Sequence, residues 1–95
     1  MKTNFQMLRE LHREYGKTEH TPGILSGEDM RLINEKLHLK EMNELGLRNL
    51  RDFTVLFFVN MKHDAEDTFR DALSDEMSAI TAAIDHRIFD LGGEV

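Results

Sequence analysis

Glu41-Met-Asn-Glu44 is the stretch whose residue types and spacing best suit chemistry. Three residues apart on a helix, the two carboxylates share a face, as a hard divalent cation such as Mg²⁺ prefers its oxygen ligands. Two further acids extend the set. In an antiparallel bundle Glu76 lies at a similar height on a helix running the same way as that of Glu41, and Asp52 returns to that end from the helix between them. Glu41, Glu44, Asp52 and Glu76 would then converge on one level as metal ligands. The alternative is that the helix frays after Leu39 and leaves both glutamates in water, because charged residues are seldom buried unpaired. His63-Asp64 has the letters of a phosphohydrolase ligand pair, but an aspartate there is explained by helix capping. The sequence holds no Gly-rich phosphate loop, no G-x-S-x-G, no H-E-x-x-H and no EF-hand loop. With no cysteine, disulfides and thiolate zinc sites are excluded.

The elements that must position these residues read as helices throughout. Phe5, Leu8, Leu11, His12 and Tyr15 recur at helical spacing over 4–15, with Thr3 and Gln6 as a capping box and Gly16 as the stop. His12 on this stripe is expected to be a satisfied core or boundary histidine rather than a ligand. Residues 16–25 form a loop with a turn at Pro22-Gly23; Lys17, Thr18, His20 and Thr21 read first as a polar surface connector and second as the mouth of a pocket. A second helix starts at Ser26, with Asp29 as its box partner, and runs to Gly46 with Met30, Ile33, Leu37 and the two glutamates on one side.

Leu50–Met61 is the most apolar stretch, with Asn49 as cap and Asp52 in its first turn. It is apolar on all sides, so it must be covered on all sides. Three neighbours of this size leave part of it bare, and a second subunit is expected over Val55, Phe58 and Val59. After a break at 60–63, a fourth helix runs from Asp64 to about Leu91 and stops at Gly92-Gly93. Its inner stripe is Ala65, Phe69, Leu73, Met77, Ile80, Ala83, Ile84, Ile88 and Leu91; Asp67, Asp71 and Asp85 face water. Glu76 and Arg87 fall on or beside the inner stripe, too far apart to pair with each other, so each needs a partner from another element. The expected fold is one all-α domain over 1–95, a small antiparallel bundle of about four helices that oligomerises.

The charge is uneven. Residues 1–62 carry 9 acids and 10 bases, whereas residues 63–95 carry 9 acids and only two arginines. An acidic surface disfavours direct nucleic-acid binding and suits a protein partner with a basic surface. No apolar run reaches membrane-spanning length, and the N-terminal stretch has no leader-like apolar core. With the absence of cysteine, this leads to the expectation of a cytoplasmic protein.

LRELHREYG, then HTP, then INEKLHLKEMNEL, over about residues 7–45, resembles the opening of the all-α NTP pyrophosphohydrolases of the MazG type. The resemblance implies a helical oligomer in which an E-x-x-E helix and a following E-x-x-D helix hold Mg²⁺ on a nucleoside triphosphate. Glu41 and Glu44 would be the first pair. Asn49 and Asp52 occupy the second, where Asn49 stands in place of an acid. Tyr15 would stack on the base and Lys17 contact phosphate. Two functional readings follow. The first is a non-enzymatic protein-binding module that uses its acidic face, Asp67, Asp71 and Asp85. The second is a Mg²⁺-dependent nucleotide pyrophosphohydrolase or a nucleotide-binding relative.

Overall fold

Helices account for all the regular structure of the computed structural model, which describes residues 2–21 and 23–93. Pro22, half of the expected turn, lies outside these residues; its neighbour Gly23 has φ 79°, the left-handed conformation that glycine enters without strain. Helix α1 is Asn4–Tyr15, α2 is Gly27–Leu37, α3 is Glu44–Asp64 and α4 is Asp67–Asp90. None of these helices is long and apolar enough to cross a membrane.

Helix α1 forms as its sequence dictates. Thr3 Oγ1 accepts the Gln6 N–H, Gln6 Oε1 accepts the Thr3 N–H, and the chain leaves the helix at Gly16. Met7, Leu8, Leu11 and Tyr15 are its buried stripe.

Helix α2 is shorter than its pattern suggests. It ends at Leu37 because His38 adopts a left-handed conformation, φ 53° and ψ 44°. That conformation costs a non-glycine residue on the order of 1 kcal/mol. It turns the chain so that Leu39 enters the core fully buried, in a 3₁₀ turn over Leu39–Glu41. The expected continuous helix to Gly46 is therefore broken.

The true cap of α3 is Asn43, whose Oδ1 accepts the Gly46 N–H at 2.8 Å, so Asn49 and Asp52 lie inside the helix rather than at its start. Helix α3 also continues through the expected break at 60–63 and ends at Asp64. Glu66 caps α4 without a side-chain hydrogen bond, which makes Asp64 an end of α3 and not the start of the next helix. At the far end Gly92, with φ 87°, closes α4 where two glycines were expected to stop it.

The core runs through all four helices. Leu47, Leu50, Thr54, Phe57 and Phe58 of α3 meet Leu73, Ile80, Ala83, Ile84 and Ile88 of α4, with Leu8, Leu11, Ile33, Leu37 and Leu39 closing the remaining sides. The largest contact is between α3 and α4, joined by Ala65 and Glu66. Phe58, expected under a second subunit, is fully buried within the chain; Phe57 lies edge-on to it at 5.2 Å between centroids, and His12 is edge-on at 6.1 Å. Val55 is half-buried and Val59 exposed. Phe69 and Leu91, placed on the inner stripe of α4 by periodicity, are exposed at its two ends.

Candidate functional site

Two places on the molecule have the character of a site, and His12 of α1 borders both. The first is a polar seam between α1, the 16–25 loop, α2 and α4. Glu76 sits on the buried stripe of α4, one turn after Leu73 and one before Ile80, so the helix carries a carboxylate into the core at 5% exposure. His12 answers it from α1. Its Nδ1 lies 2.9 Å from both carboxylate oxygens. Burial pushes the Glu76 carboxyl above its ordinary value, and the His12 hydrogen bond works against that rise.

Beside this pair, His20 stacks flat on Tyr15, 3.6 Å between ring centroids and 6° between planes. The His20 Nε2–H reaches the Tyr15 carbonyl at 2.6 Å, with the Thr18 hydroxyl at 2.8 Å. Its Nδ1 lies 2.8 Å from Oδ1 of the buried Asp29, an ion-pair distance off the line that a hydrogen bond requires. Asp29 was expected to complete a capping box with Ser26. Only the Ser26 half forms, and the aspartate side chain turns to His20 instead. Burial, then the negative charges of Asp29, Glu76 and Asp75, raise the Tyr15 phenol to about 12. The seam borders a cavity of about 570 Å³ lined by Tyr15, Thr18, His20, Thr21, Asp75 and Glu76, among others.

The second place is a groove of about 740 Å³ between α1 and α3. Phe5, Phe53, Leu56, Phe57 and Met61 line it, and Arg9, Arg13, Asn60 and Asp64 stand at its rim. Leu56 is 61% exposed and Phe5 47%. Phe5 meets Phe57 edge-on at 5.6 Å, and the Arg9 guanidinium lies 5.6 Å from the Phe5 ring centroid.

The expected metal ligands are not brought together. Glu41 is in the 3₁₀ turn, its side chain 78% exposed, with His38 Nδ1 at 3.5 Å. Glu44 opens α3, pairs with Arg48 one turn on, and lies against Gly93. The helix face they were to share is interrupted by Met42 in an extended conformation. Asp52 is exposed midway along α3, and Glu76 is bound to His12. Among the described residues no three His, Asp or Glu side chains are arranged to hold a metal ion.

Of the expected nucleotide contacts, Tyr15 lines the seam cavity with His20 stacked on its ring, while Lys17 turns outward to Glu14 at 3.2 Å. Of the outer acids, Asp67 and Asp71 are exposed, and Asp67 is bridged to Arg70 at 3.1 Å. Asp85 does not face water freely: it is half-buried and takes two hydrogen bonds from Arg51 of α3, at 2.6 and 3.3 Å. Asp75 continues the exposed acidic line instead.

Arg87 finds the Lys40 carbonyl at 3.5 Å, across to the 3₁₀ turn. The pairings His12–Glu76 and Arg51–Asp85 join residues 64 and 34 positions apart, which no local pattern reveals. The one signal for them is an ionisable residue on a buried stripe, as at Glu76. No protein-family model, no curated protein and no solved structure matches this chain.

Proposed function

We propose that this chain is a non-enzymatic protein-binding module that works as a homo-oligomer, with the α1/α3 groove as its binding surface. The uncovered apolar lining of the groove carries this reading. Exposed Phe5 and Leu56 stand with half-buried Phe53 and Met61 over the buried Phe57 ring, among Arg9, Arg13, Asn60 and Asp64, a composition enriched at protein interfaces. A second subunit would thus cover α3 at Leu56 and Phe53, in place of the buried Phe58. The two-residue α3–α4 turn and the packing of Glu44 against Gly93 support an antiparallel order of these helices, which leaves the groove on a rigid scaffold. The exposed acids Asp67, Asp71 and Asp75 support a preference for a basic surface in any further partner.

Sedimentation velocity at about 100 µM tests the reading, a range in which a micromolar contact is filled. The wild type is expected above monomer mass, and Leu56→Glu at monomer mass with unchanged helical circular dichroism. A monomeric wild type would remove the groove as a self-association surface. The pyrophosphohydrolase reading rests on the sequence resemblance alone. Mg²⁺-dependent release of pyrophosphate from a nucleoside triphosphate, lost in Glu41→Gln/Glu44→Gln, would establish it in place of the binding module.

A further inference from the structure

Glu76 has more acceptor capacity than the chain fills. An ionised carboxylate offers about four lone-pair sites. Among the described residues one donor meets them: His12 Nδ1, which lies 2.9 Å from both oxygens and so occupies the fork between them. The outer lone pairs receive nothing from the chain. The residue is 5% exposed, and burial holds its carboxyl above the ordinary value against the pull of His12, the mark of a carboxylate short of donors.

Glu76 lines the seam cavity of about 570 Å³, whereas His12 lines the depression behind it, between the end of α3 and the start of α4. The rest of the cavity is sorted by chemistry. Asp75 adds a second carboxylate at the exposed rim. Ala72, Ala79 and Ala82 make the wall along α4 small and apolar. No lysine or arginine is among the described lining residues. The one cationic candidate, His20, has Nε2 on the Tyr15 carbonyl and Nδ1 beside Asp29, so both nitrogens are engaged within the chain. The Tyr15 phenol registers the resulting field, raised to about 12 by burial and then by Asp29, Glu76 and Asp75. A lining of this sign disfavours phosphate and favours a cation.

The geometry at Glu76 selects among cations. A metal ion needs several ligands, and among the described residues no three His, Asp or Glu side chains are arranged to hold one. A guanidinium meets a carboxylate through a planar two-pronged fork, and His12 already fills that fork. An ammonium group donates single bonds in three directions and needs only an outer lone pair. We propose that the seam cavity binds a small primary amine, its ammonium group on the outer side of the Glu76 carboxylate and its carbon chain along Ala72, Ala79 and Ala82. Asp75 adds attraction at the entrance. The site lies outside the α1/α3 groove and goes beyond the protein-binding reading.

Titration of the full chain with hexylamine near neutral pH, followed by two-dimensional NMR, tests it, with hexan-1-ol as the neutral control of equal length. The amine is expected to bind about tenfold or more tightly than the alcohol, since a hydrogen bond to a charged group is the stronger kind. Its addition should shift the signals of Tyr15, Glu76 and Ala79 and raise the melting temperature. Glu76→Gln keeps the shape of the side chain and removes its charge, so the amine should fall to the affinity of the alcohol while the fold is retained. Ala72→Leu, at an exposed position, crowds the apolar wall without altering a charge and should weaken both ligands.

Equal binding of amine and alcohol to the wild type would overturn the proposal, as would amine binding that survives Glu76→Gln. Shifts confined to Asp67 and Asp71 would overturn it too, because they would mean that the amine only screens the outer acids. An absence of binding at millimolar amine would leave the outer lone pairs of Glu76 to water and end the assignment. None of these results depends on the oligomeric state, by which the groove reading stands or falls.

Discussion

The two sides of α1 bury their contacts by opposite means. Toward α4 and the loop, α1 presents His12 and Tyr15, and the seam closes around polar groups: a carboxylate on the buried stripe of α4, a histidine facing it and a second histidine against a buried aspartate. Toward α3, α1 presents Phe5 and Arg9, and the apolar side chains of the groove stay partly open. Hydropathy alone would invert this assignment, with Glu76 outside and Leu56 inside. A buried charge is tolerated where a specific donor meets it, whereas an apolar side chain stays exposed when no neighbour in the same chain reaches it. The seam is therefore paired within the chain, and the groove is left open within the chain.

The largest effect separates the core from the groove. Phe58→Ala should cost about 3–5 kcal/mol of monomer stability, the usual loss for a fully buried aromatic ring. Leu56→Ala, two residues away, should change it by no more than about 0.5 kcal/mol. Urea unfolding at low protein concentration measures both, and equal costs would place Leu56 in the core and close the groove.

The seam responds to pH. His12→Ala removes the donor from a buried carboxylate and should cost roughly 1–3 kcal/mol near neutrality. Burial holds the Glu76 carboxyl above its ordinary 4.5, so the folded state keeps a proton that the unfolded chain has already lost. Stability contributed at Glu76 is then greatest in acid and falls as pH rises from about 4.5 through the folded value. Glu76→Gln should flatten that fall and gain on the wild type as pH rises above about 4.5. A difference between the two proteins that stays constant with pH would mean that Glu76 titrates as it does in the unfolded chain.

A smaller effect belongs to the α3–α4 bridge. Arg51 and Asp85 are partly exposed, so solvent screens them despite their two hydrogen bonds. A double-mutant cycle with Arg51→Ala and Asp85→Asn should give a coupling of about 0.5–1 kcal/mol that shrinks with added salt. Smallest of all is the outer acidic line. Asp71→Asn should shift stability by less than about 0.5 kcal/mol, and upward if at all, because Asp67, Asp71 and Asp75 are like charges one turn apart. A loss larger than that would give these acids a structural role and weaken their use as a partner surface.

Much of the fold is legible in the sequence, because helices are local. The capping box at Thr3, the stop at Gly16 and the end of α4 at its glycines all follow from residues within a turn or two of one another. The all-α class follows in the same way. The boundaries that escape are those set from a distance. His38 turns left-handed so that Leu39 can reach the core, and a helix that its own sequence would continue to Gly46 ends at Leu37. That one turn moves the start of α3 to Asn43 and separates Glu41 from Glu44, which a continuous helix would have kept on one face.

Pairing is decided at the same level. The sequence marks Glu76 as an acid on an apolar stripe in need of a partner, but only the packing of α1 on α4 makes that partner His12. It marks Leu50–Met61 as too apolar to stand alone, but only the packed structure buries Phe58 and leaves Leu56 in the open. The physical reason is common to both. Backbone hydrogen bonds and caps are satisfied within a few residues, whereas burial depends on which surfaces meet, and those surfaces belong to residues far apart in the chain.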